Sequence, residues 1–202
     1  MKIFCIGRNY VDHIHELKNE IPESMVIFMK PASSLHDISK SWSLPNFSKD
    51  IHYECELVLK ISKQGKNIPL EEAFNYYEEL SLGIDFTARD IQSNLKAKGL
   101  PWEKAKAFDG SALLGHFVAK TKFDLKNLSF SLIKNGMMVQ HGNTKQMIHS
   151  FSSIISELSR YFTLETSDLI FTGTPAGVGP IQSGDAFIGK MEDLEIFHFD
   201  VK

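Results

Sequence analysis

Two glutamates flank a cysteine in the run His52-Tyr53-Glu54-Cys55-Glu56-Leu57, and Asp85 closes an apolar stretch that carries Leu80, Leu82 and Ile84. Residues two apart on an extended strand project from the same face, so Glu54 and Glu56 can aim at one point. A third carboxylate reaching that point would gather three negative charges, which repel unless a cation sits among them. All-oxygen donors suit Mg²⁺, Mn²⁺ or Ca²⁺ better than Zn²⁺, and three protein ligands leave positions for water or an oxyanionic substrate. Mg²⁺ is the first expectation. On the alternation alone, a solvated strand face accounts for the pattern better than a site does.

His13 and Glu16 lie three residues apart in a helical segment, which puts them on one face where the carboxylate can fix the imidazole tautomer and raise its basicity. Near a bound metal such a histidine could serve as general base for water; an ordinary exposed helix pair has the same spacing. Lys106 sits in Ala105-Lys106-Ala107-Phe108, where small and apolar neighbours suggest a buried stem and hence a need for an anionic partner. A surface lysine, like Lys104, fits as well. The loop Gly173-Thr174-Pro175-Ala176-Gly177-Val178-Gly179 offers backbone N–H groups and a hydroxyl able to hold a carboxylate, but it lacks the phosphate-loop pattern GxxxxGK[ST].

The elements that must position these groups can be read from periodicity. Lys2 to Ile6 is a short strand, after which Asn9 can cap a helix reaching about Asn19, with Pro22 beyond its end. Met25 to Met29 is a second strand, and residues 31–50 form an irregular excursion. His52 to Ile61 alternates as one half-buried strand, Tyr53, Cys55, Leu57 and Leu59 on one face and Glu54, Glu56 and Val58 on the other. Pro69 opens a helical stretch, EEAFNYYEELS, and ARDIQSNLKAK forms another helix ending at Gly99. Leu128 to Gln140 reads as a hairpin about Asn135-Gly136, followed by a helix from about Lys145 to Tyr161. A buried strand at Leu169 to Thr172 leads to the glycine-rich loop, and a strand pair, Ala186 to Lys190 with Leu194 to Val201, closes the chain. Short strands interrupted by helices give a β-rich α+β fold with a rolled or sandwiched sheet.

Composition narrows the partners. The 202 residues carry 22 Lys and Arg against 25 Asp and Glu, a formal charge of −3. That leaves no basic excess for a phosphate backbone, so no nucleic-acid partner is expected. Hydrophobic residues make up 43%, with 15 phenylalanines, the material of an ordered core. The opening apolar stretch is too short for a signal peptide or membrane span, and two cysteines, Cys5 and Cys55, form no disulfide framework. A cytoplasmic protein with no membrane association is expected.

Taken together, GRNYVDH at 7–13 with Glu16, the Glu54-Cys55-Glu56 triplet, DFTARDIQ at 85–92, KGLPWEKAKAFD at 98–109 and TGTPAGVG at 172–179 resemble the fumarylacetoacetate hydrolase family. The similarity is closest to its short members, the acylpyruvase and oxaloacetate decarboxylase group, and it runs in order along nearly the whole chain. It implies a family-type fold around a rolled mixed β-sheet, a single catalytic domain over 1–202 with a lid helix at about 9–20, a homodimer, and one Mg²⁺ or Mn²⁺ per subunit. Longer members carry an additional N-terminal domain that is not expected here. By position, the resemblance makes Glu54, Glu56 and Asp85 metal ligands, Lys106 the active-site lysine and His13 with Glu16 the catalytic pair on the lid. Arg89, Gln92, Lys30 and Thr174 become substrate-pocket residues. Asn143 stands where close relatives often have Glu, and the stretch between the lid and Lys30 is short.

The implied substrate is a small 2-oxo acid whose carboxylate and keto oxygens chelate the metal, so that an enolate forms at C3. Hydrolysis of an acylpyruvate would use water activated by His13 and Glu16, with Gln92 and Lys106 facing the oxyanion. Decarboxylation of oxaloacetate gives the same enolate without nucleophilic water. An oxaloacetate tautomerase or a 2-hydroxymuconate-type isomerase or decarboxylase are the enzymatic alternatives, and a metal-binding β-rich module the non-enzymatic one.

Overall fold

The structure, a computed structural model, describes residues 1–16, 20 and 22–202. The first elements in chain order are β1 (Ile3–Gly7), α1 (Val11–Glu16), β2 (Val26–Lys30), β3 (Leu35–His36), β4 (Ile51–Tyr53), β5 (Cys55–Ile61), β6 (Tyr77–Asp85) and β7 (Thr87–Ala88). Two helices follow, α2 (Arg89–Ala97) and α3 (Glu103–Lys106), then β8 (Ala112–Leu114), β9 (Val118–Ala119), β10 (Ser129–Lys134) and β11 (Met137–Asn143). The chain closes with α4 (Phe151–Tyr161), β12 (Leu169–Phe171), β13 (Gly179–Pro180), β14 (Ala186–Met191) and β15 (Leu194–Asp200).

An eight-stranded mixed sheet runs β2-β1-β12-β5-β6-β8-β3, with β9 also on β6; β1 with β12 and β3 with β8 are its parallel pairs. It is curled, and a four-stranded sheet, β11-β10-β14-β15, and a three-stranded one, β13-β4-β7, accompany it. The large sheet is buried on both faces, which explains the unbroken apolar run of β1: Phe4 and Ile6 join one core with Leu57 and Leu59, Ile3 and Cys5 the other with Val58 and Phe171. The expected hairpin is present, its turn residues Asn135 and Gly136 at φ +50° and +81°.

Four local expectations need correction. The stretch from Pro69 is not a helix: only Ala73–Tyr76 makes a 3₁₀ turn, and Tyr77 onward is β6. Pairing with β5 from Ile61↔Tyr77 to Cys55↔Ile84, with Leu80, Leu82 and Ile84 fully buried, outweighs the helix preference of its glutamates. The strand expected over 52–61 is divided at Glu54, so that β4 and β5 belong to different sheets. Helix α4 starts at Phe151, capped by the Ser150 hydroxyl, whereas Thr144–Gln146 forms a separate 3₁₀ turn capped by Asn143. Asn9 is not the cap of α1. It is fully buried, donates from Nδ2 to Thr172 O (2.7 Å) and His149 O (3.1 Å), and accepts from His149 N (2.7 Å). It thereby ties the start of α1 to the strand end at β12. The expected continuation of α1 to Asn19 falls on residues 17–19, outside the described residues.

Candidate metal and substrate site

The three acids meet because of sheet register. Antiparallel pairing of Cys55 with Ile84 and of Glu56 with Gly83 puts Asp85 directly across from Glu54, and Asp85 N–H donates to Glu54 O (2.8 Å). Directly opposed residues share a face. Glu54, Glu56 and Asp85 are therefore all buried, with one carboxylate oxygen from each lying within 4.8 Å of the others. They open onto a cavity of about 400 Å³ whose wall also includes His13, Arg89, Gln92, Lys106 and Thr174.

Cations hold two of the acids. Lys106 Nζ spends its three donors on Glu54 Oε2 (2.7 Å), Asp85 Oδ2 (2.7 Å) and Thr87 Oγ1 (2.6 Å). Burial opposes the Lys106 ammonium, but Asp85 and Glu54 outweigh it and raise its pKa. Burial would likewise raise Glu54, yet Lys106 and Arg89 hold it well below the usual carboxylate range. Arg89 reaches Glu54 Oε1 through Nη2 and Gln92 Oε1 through Nη1 (2.6 Å), leaving the Gln92 amide nitrogen for the cavity. Glu56 differs. Burial and the neighbouring Asp85 and Glu54 charges push it well above its ordinary value, against which stand one hydrogen bond from Gly173 N–H to Oε2 (2.7 Å) and the Lys106 charge.

This donor set fits a divalent cation. All ligand atoms are oxygen, the hard-ion preference. Asp85 Oδ1, buried, accepts no aligned hydrogen bond; Lys30 Nζ lies 2.8 Å from it, but directs its donors to Lys106 O, Ser111 O and Ser111 Oγ. The charge least compensated is that of Glu56, which forms no ion pair among the described residues, and a cation held among the three carboxylates would offset it.

Lys30, expected at the substrate pocket, stands beside Asp85 and is absent from the cavity lining: as the last residue of β2, its side chain turns inward and is 1% exposed. Thr174 does line the cavity, but its hydroxyl is committed, donating to Cys55 O (2.9 Å) and accepting from Gln140 Nε2 (2.8 Å). On the rim, His13 Nδ1 meets Glu16 Oε2 at 3.1 Å, which leaves Nε2 as the free ring nitrogen. Glu16 Oε1 accepts Gly177 N–H (3.0 Å). The glycine-rich loop therefore does bind carboxylates, though the protein's own: Glu56 at Gly173 and Glu16 at Gly177. Sequence reasoning passed over Thr87, which anchors Lys106, and Gln140, which also accepts Cys55 N–H at Oε1 (2.9 Å). Thr87 lies inside the DFTARD segment, where it could have been noticed; Gln140 has no local signature.

A family profile described as fumarylacetoacetate (FAA) hydrolase C-terminal matches residues 2–198. The oxaloacetate decarboxylase (mitochondrial) of Dictyostelium discoideum is 43% identical over 203 residues, covering 99% of this chain and 93% of its own. The oxaloacetate tautomerase YcgM of Escherichia coli is 39% identical over 186 residues, 91% of this chain and 85% of its own. Among solved structures, fumarylpyruvate hydrolase from Pseudomonas aeruginosa in complex with Mn²⁺ and pyruvate superposes with a TM-score of 0.93 at 35% identity, covering 100% of this chain and 89% of the other. Because the match runs through nearly every residue of the fold and extends over most of each relative's own length, this chain belongs to the fumarylacetoacetate hydrolase family.

Proposed function

We propose that this protein is a divalent-metal enzyme acting on small 2-oxo acids that carry a second carbonyl or carboxyl group beyond C3. Its chemistry is C–C cleavage, by hydrolysis of an acylpyruvate or decarboxylation of oxaloacetate, or proton exchange at C3 in a tautomerase reaction. The observation that carries this reading is the convergence of three buried carboxylates on the floor of a cavity whose rim holds the His13–Glu16 pair. The relatives named oxaloacetate decarboxylase and oxaloacetate tautomerase, and the structural neighbour holding Mn²⁺ and pyruvate, support it.

In this reading Glu54, Glu56 and Asp85 hold Mg²⁺ or Mn²⁺. When bound, the ion supplies Lewis-acid polarisation of the 2-oxo carbonyl and neutralises charge growing on its oxygen. Lys106 keeps the carboxylates in place and holds a full positive charge beside the reacting atoms. The Gln92 amide nitrogen, its partner oxygen fixed by Arg89, is the neutral donor for a developing oxyanion. His13, oriented by Glu16, takes a proton at Nε2: from water if the distal carbonyl is hydrolysed, from C3 if the substrate is only tautomerised. The working unit is a homodimer, as the resemblance implies, which sedimentation velocity tests. Buried free thiols at Cys5 and Cys55 suit a reducing compartment.

The test measures pyruvate release from acetylpyruvate and from oxaloacetate, and enol–keto exchange of oxaloacetate, with Mg²⁺ and with EDTA. Turnover is expected only with metal, and His13→Ala is expected to lose roughly 10²-fold or more in kcat. Metal-independent turnover would sink the mechanism. Exchange without pyruvate release selects the tautomerase branch, and an unaffected His13→Ala removes the pair from the chemistry.

A further inference from the structure

Two buried polar atoms beside the site lack a hydrogen-bond partner, and they are complementary. Arg89 directs Nη1 to Gln92 Oε1 (2.6 Å) and Nη2 to Glu54 Oε1, but its Nε–H is buried and unpaired. His52, on β4, places Nε2 2.9 Å from Asp50 Oδ1, while its Nδ1 is buried and likewise unpaired. A carboxylate accepts from Nε2–H, and in a neutral imidazole this leaves Nδ1 as an acceptor. A guanidinium Nε–H can only donate. Buried groups of this kind call for a partner.

Sheet register brings the two side chains together. β4 pairs with β7 as Ile51↔Ala88 and His52↔Thr87, and Arg89 N–H extends the ladder by donating to Asp50 O (2.8 Å). Arg89 is therefore diagonal to His52 across the pair, within reach of a long side chain. Glu54, two residues along from His52, is the ion-pair partner of Arg89. Burial and the Arg89 charge also hold His52 below its usual pKa, in keeping with a neutral ring beside the guanidinium.

We propose that His52, oriented by Asp50, is a positioning residue that accepts the Arg89 Nε–H at Nδ1 and so fixes the guanidinium from which Gln92 takes its orientation. The proposal rests on the reading that the Gln92 amide faces a developing oxyanion. With Nε anchored, the guanidinium is held on three sides and cannot turn without breaking a hydrogen bond. Without that anchor it pivots, and the 2.6 Å contact passes the shift to the Gln92 amide. A displaced oxyanion donor stabilises the transition state less, while binding at the carboxylate floor changes little.

The test uses three substitutions of one side chain. Asn places an amide oxygen where the ring carries Nδ1, and Gln places an amide atom where it carries Nε2, so the two separate the Arg89 contact from the Asp50 contact. For whichever of the three reactions the Mg²⁺-loaded wild type catalyses, His52→Leu should lower kcat about tenfold to a hundredfold with KM within about twofold. His52→Asn should recover most of that loss and His52→Gln little of it. An unchanged kcat in His52→Leu, or His52→Gln matching His52→Asn, overturns the assignment. The second readout is the ¹⁵N spectrum near neutral pH. The chain has three arginines, Arg8, Arg89 and Arg160, so Arg8→Lys and Arg160→Lys identify the Arg89 Nε–H signal by elimination. It should exchange slowly with solvent, move in His52→Leu and stay near its wild-type position in His52→Asn, and the His52 ring should show Nδ1 as its unprotonated nitrogen. A signal indifferent to His52→Leu, or a protonated Nδ1, overturns the pairing. Wild type inactive in all three reactions with Mg²⁺ overturns the 2-oxo-acid reading instead, and the pairing is then decided by these spectra.

Discussion

Replacing Glu56 with glutamine removes one charge from the buried cluster while keeping the shape and an oxygen for the Gly173 N–H. In the metal-free protein the partner oxygens of Glu54 and Asp85 lie within 4.8 Å, and at an effective dielectric of about 20 a like pair at that separation costs ~3.5 kcal/mol. Two such pairs amount to roughly 7 kcal/mol, of which Lys106 and the Gly173 N–H recover a part. Protonation caps the remainder: between the ordinary glutamate value of about 4.3 and pH 7, a carboxyl kept neutral by folding costs at most ~3.7 kcal/mol. Glu56→Gln is therefore expected to stabilise the EDTA-treated protein by about 1–3 kcal/mol at pH 7, roughly 3–10 °C in Tm for a chain of this size. Because the folded pKa of Glu56 is raised, metal-free wild type loses stability as pH rises above about 4.3, and the variant's advantage grows over that range. Mg²⁺ offsets that advantage. At 100 times its Kd the ion adds ~2.7 kcal/mol to wild type and little to the variant, which lacks a ligand. Differential scanning calorimetry with EDTA and with Mg²⁺, at pH 5 and 7, reads all of this. A variant less stable than wild type in EDTA, or an equal Mg²⁺ shift in both, would refute the picture of a cluster held under charge repulsion until a cation arrives.

Two further outcomes can be measured by urea unfolding. Asn9→Ala strips the three hydrogen bonds that join α1 to Thr172 and His149, and should cost about 2–4 kcal/mol; a loss under ~1 kcal/mol would show that the tie is incidental. Burial opposes ionisation of Asp185, but Lys134 Nζ (2.7 Å), Gln182 N (2.7 Å) and Asn135 Nδ2 (2.8 Å) lower its pKa. Its contribution is present above the unfolded value of about 4 and lost as pH falls below it, so Asp185→Asn should cost about 1–2 kcal/mol at pH 7 and almost nothing near pH 2. A difference independent of pH would contradict this assignment.

Alternation in the sequence around Glu54 and Glu56 was enough to place both on one face, since a strand's period of two is a local property. That Asp85 lies opposite Glu54 is a matter of register between segments distant in the chain, and no local pattern carries it. The same limit explains Lys30: a lysine ending an apolar strand reads alike whether it reaches a pocket or turns behind an aspartate. The stretch 71–81 misled for another reason, because glutamate-rich helical spacing competes with strand pairing and the partner strand β5 decides. Asn9 shows that an N-cap residue type before a helical pattern is also the type best able to bridge separate backbone segments. The carboxylate-binding potential of residues 173–179 was visible in their glycines, but which carboxylates they hold was not.

That loop sets a mechanical constraint. Its N–H groups at Gly173 and Gly177 grip an acid of the buried cluster and the acid that orients His13, so only four residues of backbone, at most about 14 Å, separate the two anchor points. Both glycines have left-handed φ values, +101° and +99°, and an added Cβ would lie 2.6 Å from Asn9 Cβ at the first and 2.1 Å from Val139 O at the second. Floor and rim thus share one ruler that tolerates little substitution. Changes within residues 173–177 should couple the two ends non-additively, so that adaptation to new substrates proceeds through the walls, where a side chain can vary without moving the frame.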